Sequence, residues 1–153
     1  MNNWLMCVVV ALLLQGPARA AIETPFGAAH GVFFALSVSD IDASVTWYSE
    51  KLGLAVVMRS PKQDKASAVV LEGGGLAVEL VKHDDAMPPS KEPPLTHGFM
   101  KAGLVVDDLD KTLANLKARG VPIFLGPFPA RGTIKSNAII KDNAGNLIQF
   151  FGR

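Results

Sequence analysis

The stretch "LAVELVKHDD", residues 76–85, places one carboxylate, Glu79, inside an apolar run that alternates like a β-strand. Alternation puts Leu76, Val78 and Leu80 on one face of the strand and Glu79 on the opposite face. Both faces are expected to be covered, and a covered carboxylate is costly unless a partner compensates its charge. Three chemistries suit such a residue, namely metal ligation, an ion pair and general base catalysis.

The elements that must position Glu79 form a repeat. Two segments, Val38–Leu54 and Val106–Pro122, share a pattern. In each, a strand-like run ends in an aspartate suited to cap a helix, and apolar residues at helical spacing follow. Each predicted helix also has a second acid in its first turn and ends at a glycine, as helices commonly do. The capping acids are Asp40 and Asp108, the first-turn acids are Asp42 and Asp110, and the glycines are Gly53 and Gly120.

The flanks of the two helices agree as well. An apolar strand precedes each helix and three strand-like runs follow it, with tight turns at Gly73–Gly75 and Asp142–Asn146. The sequence therefore predicts an α+β fold of two βαβββ modules, at about residues 31–83 and 99–152. Residues 84–98 contain four prolines without periodicity and are predicted to link the modules or to lie over the site.

The first twenty residues are expected to be a signal peptide. Trp4–Leu14 is an uncharged apolar run, too short to span a bilayer, and small residues follow at Ala18 and Ala20. We expect cleavage after Ala20, which leaves residues 21–153 as one domain in the periplasm or outside the cell. A buried or membrane-anchoring helix is the alternative.

The predicted mature chain has no cysteine and equal numbers of basic and acidic residues, because residues 1–20 hold Cys7, Arg19 and no acid. The absence of cysteine excludes disulfides, thiolate metal sites and a cysteine nucleophile. The balanced charge makes nucleic acid and anionic membranes poor partners. A small molecule is the expected partner, and a homodimer is an open alternative.

The duplicated unit, with "VSDIDASVTWYSEKLGL" and the terminal "DNAGNLIQFFG", resembles the vicinal oxygen chelate superfamily. Its members include glyoxalase I, extradiol dioxygenases and the bleomycin resistance proteins. The resemblance covers about residues 31–152 and implies two modules whose sheets curl around a cleft, within one chain or between two. It indicates the fold better than the reaction, because very different chemistries share this fold.

The resemblance also implies where a metal would sit. Members that bind metal take His, Glu or Gln ligands from the first and fourth strands of each module, which correspond here to Phe33, Glu79, Lys101 and Gln149. Phe33 has no donor atom, and protonated Lys101 has no lone pair. One carboxylate and one amide fall short of the three or four ligands that a transition metal takes from a protein. No cofactor is therefore expected, and a divalent metal is the alternative.

Two interpretations of Glu79 follow from the presence of Phe33 and Lys101 at positions where metal-binding members have ligands. In one, the Lys101 ammonium occupies the place of the missing cation and pairs with Glu79 in a buried site, while the Gln149 amide donates to the same carboxylate. In the other, Lys101 reaches solvent at a strand edge and Glu79 is hydrated.

Several other residues have a less specific chemistry. A rearranged metal site could combine Glu79 with His83 and His97, whereas His30 precedes the first strand. Trp47 and Tyr48 on the first helix are best explained as core. Arg59 and Arg131 could meet a polar ligand at the rim, and Ser37 and Ser39 have no His–acid partners in the sequence.

Two functions are compatible with these residues. The favoured one is an exported protein that binds a small organic molecule through Phe33, Glu79, Lys101 and Gln149 without the usual metal of the family. The alternative is a glyoxalase-like lyase, isomerase or dioxygenase, which uses a rearranged metal site or a metal-free acid–base mechanism with Glu79 as the base. A structural or interaction role is a third class that no residue singles out.

Overall fold

The fold is taken from a computed structural model, which describes residues 33–62, 65–87 and 98–153. Within these ranges the chain forms two βαβββ modules, as predicted. The elements are β1 (Phe33–Ser37), α1 (Ile41–Trp47), β2 (Ala55–Arg59), β3 (Ala66–Gly73), β4 (Leu76–His83), β5 (Lys101–Val106), α2 (Leu109–Ala118), β6 (Ile123–Phe128), β7 (Asn137–Lys141) and β8 (Leu147–Gly152).

Each module builds its own four-stranded sheet. The first sheet has the order β1-β4-β3-β2 and the second has β5-β8-β7-β6. The first and last strands of each module pair in parallel, and the other neighbours pair antiparallel. This topology confirms the predicted α+β class. It leaves β1 and β5 as edge strands of separate sheets.

The helix ends follow the predicted caps. The Asp40 side chain accepts a hydrogen bond from the Ala43 N–H at 2.9 Å, and the Asp108 side chain accepts one from the Lys111 N–H at 2.8 Å. The first helix continues past Trp47 as a π-helical turn, Tyr48–Leu52, which the sequence pattern did not predict. It ends at Gly53, whose φ of 75° is the left-handed conformation that glycine adopts most readily.

One hydrophobic core joins the two modules. Its buried side chains come from alternate strand positions, which turn one face of each sheet toward the helices. Leu36, Leu71 and Leu80 belong to the first sheet, whereas Ile148 and Phe150 belong to the second. We call the opposite face of each sheet, which is not part of this core, its open face.

Some predicted features lie outside the described residues. These are the signal segment 1–20, His30, His97 and most of the predicted linker 84–98. Within the described part of the chain, no helix has the length and apolar character to cross a bilayer.

Candidate ligand-binding site

The four positions inferred from the resemblance all lie on open faces. Phe33 and Glu79 stand on β1 and β4 of the first sheet, and Lys101 and Gln149 stand on β5 and β8 of the second. Phe33 is 65% exposed, and Lys101 is also exposed. Because β1 and β5 belong to separate sheets, and because Phe33 and Lys101 face solvent, one chain does not bring the four positions into a closed cleft.

Glu79 occupies the centre of an apolar surface. Its neighbours across the strands are Ala35 on β1 and Val70 on β3. Glu79 is half-buried, and Phe33 lies on the same face toward one end. The expectation that both faces of β4 are covered is therefore wrong for the single chain, since the face of Glu79 is only partly shielded.

The predicted buried pair between Glu79 and Lys101 is not formed within one chain. The ion pairs among the described residues are Arg59–Asp42, Lys62–Asp84, Lys65–Asp85 and Arg153–Asp107, all on exposed side chains. The geometric reason is that Glu79 and Lys101 stand on different sheets whose shared core lies on the opposite faces.

Gln149 has a different partner from the one predicted. It is buried, and its Nε2 donates to Asn137 Oδ1 at 2.8 Å, rather than to Glu79. Asn137 Nδ2 in turn donates to the Lys135 carbonyl at 3.1 Å. Sequence reasoning missed Asn137, although a polar residue at the head of the apolar strand "NAIIK" was a usable signal.

The residues at these positions do not fit a metal ion. Phe33 offers no donor atom, Lys101 is a cation, and the amide of Gln149 is engaged with Asn137. No group of three His, Cys, Asp or Glu side chains comes together among the described residues. His83 is exposed and its Nδ1 accepts from the Asp85 N–H at 3.2 Å, while the other histidine of the rearranged site, His97, is not described.

Tyr48 lies in the core, as predicted, and it also makes a polar contact with the other module. Its ring is fully buried and packs edge-on against Trp47, with the ring centroids 5.0 Å apart. Its hydroxyl donates to Asp142 Oδ2 of the other module at 2.9 Å. Asp142, which the sequence pattern placed only in a turn, thus links the two modules by a buried hydrogen bond.

Ionisation of Tyr48 reports on this link, because Tyr48 is the only tyrosine of the chain. Burial, followed by the charge of Asp142 and its hydrogen bond, raises the pKa of Tyr48 well above its ordinary value. The folded state therefore keeps the Tyr48 proton that the unfolded state releases near pH 10. The contribution of this group to the free energy of unfolding is fully present below about pH 10 and is lost as the pH rises further.

We therefore expect tyrosinate absorbance in the near ultraviolet to appear only together with unfolding. Above about pH 10, the free energy of unfolding should fall by up to about 1.4 kcal/mol per pH unit more in the wild type than in Tyr48→Phe. The measurement is denaturant unfolding of both chains across pH 9–12. Tyrosinate absorbance at about pH 10 in a chain that is still folded would contradict the buried link.

The fold and the open faces define a class of two-module α+β proteins, and the comparisons with known proteins identify the family. The sequence profile of the Glyoxalase/Bleomycin resistance protein/Dioxygenase superfamily matches residues 30–150. The chain belongs to this superfamily. A comparison with curated protein sequences gives no match.

Solved structures share the fold. TnmS3, an antibiotic binding protein from Streptomyces sp. CB03234, is 24% identical over 82% of this chain and 96% of its own, with a TM-score of 0.61. TioX from Micromonospora sp. ML1 is 19% identical over 81% of this chain and 98% of its own, with a TM-score of 0.62. A glyoxalase I mutant from Zea mays is 25% identical, with a TM-score of 0.62; the match covers 79% of this chain but only 44% of the maize chain.

Proposed function

We propose that this protein binds a small organic molecule without a metal, in a cleft that two copies of the chain build together. The observation that carries the proposal is the residue set at the four positions, where the only carboxylate, Glu79, stands among apolar side chains and no metal-ligand set is present among the described residues. An apolar wall with a few placed polar groups is the usual composition of a small-molecule site. The likeness to an antibiotic binding protein supports the same class of function.

The exposed edges support assembly of two copies. Phe33 and Val105, on the open faces of the edge strands β1 and β5, are 65% and 72% exposed. Unpaired edge strands with apolar surface are sites where further chains associate. If β1 of one copy lies beside β5 of the other, Glu79 of one copy faces Lys101 and Gln149 of the second. The predicted Glu79–Lys101 pair would then form between copies.

The chemistry of such a cleft favours a mostly apolar ligand that carries a hydrogen-bond donor for Glu79 and an acceptor for Lys101. Glu79 and Lys101 of opposite copies would compensate each other in the empty cleft. A ligand that reaches between them would replace the ion pair with two hydrogen bonds, one to Glu79 and one from Lys101. The two charged groups would thus set the orientation of the ligand, and the apolar walls would supply most of the buried area.

We expect the purified mature chain to hold far less than one metal ion per copy after incubation with nickel, zinc, iron or manganese and removal of the excess. Elemental mass spectrometry checks this. We also expect compounds from a small-molecule screen to raise the thermal midpoint of the wild type but not of Glu79→Gln. Glu50→Gln, an exposed carboxylate on the π-helical turn, is the matched control and should respond like the wild type.

Two results would contradict this proposal in different ways. Stoichiometric metal that is lost in Glu79→Gln would overturn the metal-independent site and favour a lyase or dioxygenase. Turnover of a bound compound without metal, abolished in Glu79→Gln, would instead make Glu79 a general base and the protein an enzyme.

We also propose that the chain is exported to the periplasm or beyond. The apolar run Trp4–Leu14 and the small residues before Ala21 support this. The intact mass of the protein recovered from a periplasmic extract checks it, with Ala21 expected as the first residue. Recovery of the full 153-residue chain from the cytosol alone would contradict export.

A further inference from the structure

The two modules do not contact each other in the same way on the two sides of the molecule. On one side, the first helix is tied to the β7–β8 turn, because Tyr48 donates to Asp142 and the Asn143 amide donates to Ser44 Oγ at 3.1 Å. Asp142 also organises its own turn, where it accepts from the Ala144 and Asn146 N–H groups. This side is closed by side chains.

The sequence repeat identifies the residues of the second module that correspond to Ser44 and Tyr48. The capping residues Asp40 and Asp108 lie 68 positions apart, and the same offset relates Ser44 to Thr112 and Tyr48 to Leu116. Leucine has no hydroxyl to donate. The facing turn, between β3 and β4, is made of Gly73–Gly75 and has no side chain to meet α2. Leu116 and this turn therefore form no counterpart of the hydrogen bond between Tyr48 and Asp142.

A cavity of about 260 Å³ occupies that place between the modules. Its floor is apolar and its mouth is polar. We use the word floor for the buried and half-buried apolar lining residues, which are Leu54, Leu76, Leu104, Val106, Leu116 and Phe150. We use the word mouth for the half-buried and exposed polar ones, which are Lys51, Thr112, Asn115 and Arg119. None of the predicted site positions lines it, so it is separate from the open faces of the sheets.

The mouth of the cavity is positively charged. Lys51 and Arg119 both line it, and no carboxylate of the described ranges does. Neither cation takes part in an ion pair among the described residues. Among the described residues, the acceptor of Arg119 Nη1 is a neutral group, the Glu50 carbonyl, at 3.3 Å. The guanidinium fork has further N–H donors, and its geometry matches a carboxylate.

We propose that this cavity is a second binding site, which takes a small amphipathic monocarboxylate. The carboxylate of the ligand would bind Arg119 and Lys51, and its apolar part would pack on the floor of the cavity. The volume lies just below the range of pockets for drug-sized ligands, so a short chain or a single ring fits better than a long acyl chain. A ligand here would contact both modules and so would add to the hydrogen bond between Arg119 and the Glu50 carbonyl on this side.

The test is an NMR titration of the ¹⁵N-labelled mature chain with sodium octanoate, with 1-octanol as the uncharged probe. Saturable shifts are expected at the amides of Gly74, Asn115 and Arg119, with a Kd of about 1 mM or below. Octanoate should bind about tenfold more tightly than octanol, and Arg119→Gln should remove that difference. Lys135→Gln removes an exposed cation outside the cavity and should leave the affinity for octanoate unchanged.

Filling the cavity separates this site from binding elsewhere. Leu104→Phe and Leu76→Phe each enlarge a lining side chain and should weaken octanoate binding at least tenfold, with spectra that retain the folded dispersion. If one variant fails to fold, the other decides. Shifts confined to the open faces, equal affinity for octanol and octanoate, or undiminished binding in the folded cavity-filled variant would each overturn the proposal.

Discussion

Replacing Asp142 with alanine is expected to lower the free energy of unfolding by about 3 kcal/mol, because a buried acceptor of several hydrogen bonds is removed. The carboxylate accepts four of them, from Tyr48 Oη, the Ala144 N–H, the Asn146 N–H and Asn146 Nδ2, at 2.8–2.9 Å. The substitution also leaves the Tyr48 hydroxyl buried without its acceptor. The substitution thus removes the hydrogen bonds within the turn and the one from Tyr48 in the other module. Urea unfolding at pH 7 measures the change.

Two companion variants make this result specific. Asp107→Ala removes an equally charged residue whose pair with Arg153 is on the surface, with exposed fractions of 85% and 79% for the two side chains, and should cost less than about 1 kcal/mol. Tyr48→Phe removes only the hydroxyl and should cost about 1–2 kcal/mol. Adding Tyr48→Phe to Asp142→Ala should then cost little more, because the hydroxyl has already lost its acceptor. Full additivity of the two changes would contradict the contact between them.

The second large effect concerns the proposed cleft between copies. Val105→Asp is expected to weaken self-association about 1000-fold, because the charge would be buried without a partner between the two sheets. The stability of the single chain should change by less than about 0.5 kcal/mol, since Val105 is 72% exposed there. Sedimentation equilibrium of the mature chain and thermal unfolding measure the two quantities. Compounds that stabilise the wild type should lose their effect in parallel.

The matched control introduces the same charge on a helix surface. Ala114→Asp lies on the exposed side of α2, outside the open faces, and should leave association unchanged. Phe33→Asp, on the facing edge strand, should reproduce the effect of Val105→Asp. A wild-type chain that sediments as a monomer at high concentration, yet binds its ligand, would contradict the shared cleft while leaving metal-free binding intact.

Much of the fold was predictable because its signals are local. The capping aspartates Asp40 and Asp108 satisfy the free N–H groups of their own helices, and Gly53 and Gly120 end these helices within a few residues. Strand alternation placed Glu79 and Leu80 on opposite faces of β4, as found. Such patterns depend on neighbours in the chain, so one sequence is enough to read them.

The partners of the polar residues were not predictable in the same way. The sequence offered Lys101 as a partner for Glu79 and Gln149 as a donor to it, but Gln149 binds Asn137 and Lys101 faces solvent. Tyr48 and Asp142 are 94 residues apart, and no periodicity relates them. Each pairing depends on how two sheets are oriented, which is set by packing rather than by spacing along the chain.

The sequence by itself determined the two βαβββ modules, their helix ends and the residue types at the four site positions, because these follow from local patterning and a duplicated motif. Only the tertiary structure decided that the modules share one core through their helix-bearing faces. Because the modules pack through these faces, Glu79 and Lys101 point away from each other within the chain. A cavity lies where Leu116 and the turn Gly73–Gly75 stand at the repeat positions of Tyr48 and the Asp142 turn and form no equivalent hydrogen bond. The physical reason is that burial of apolar area selects the faces that pack, and the polar residues must then take the partners that this packing leaves within reach.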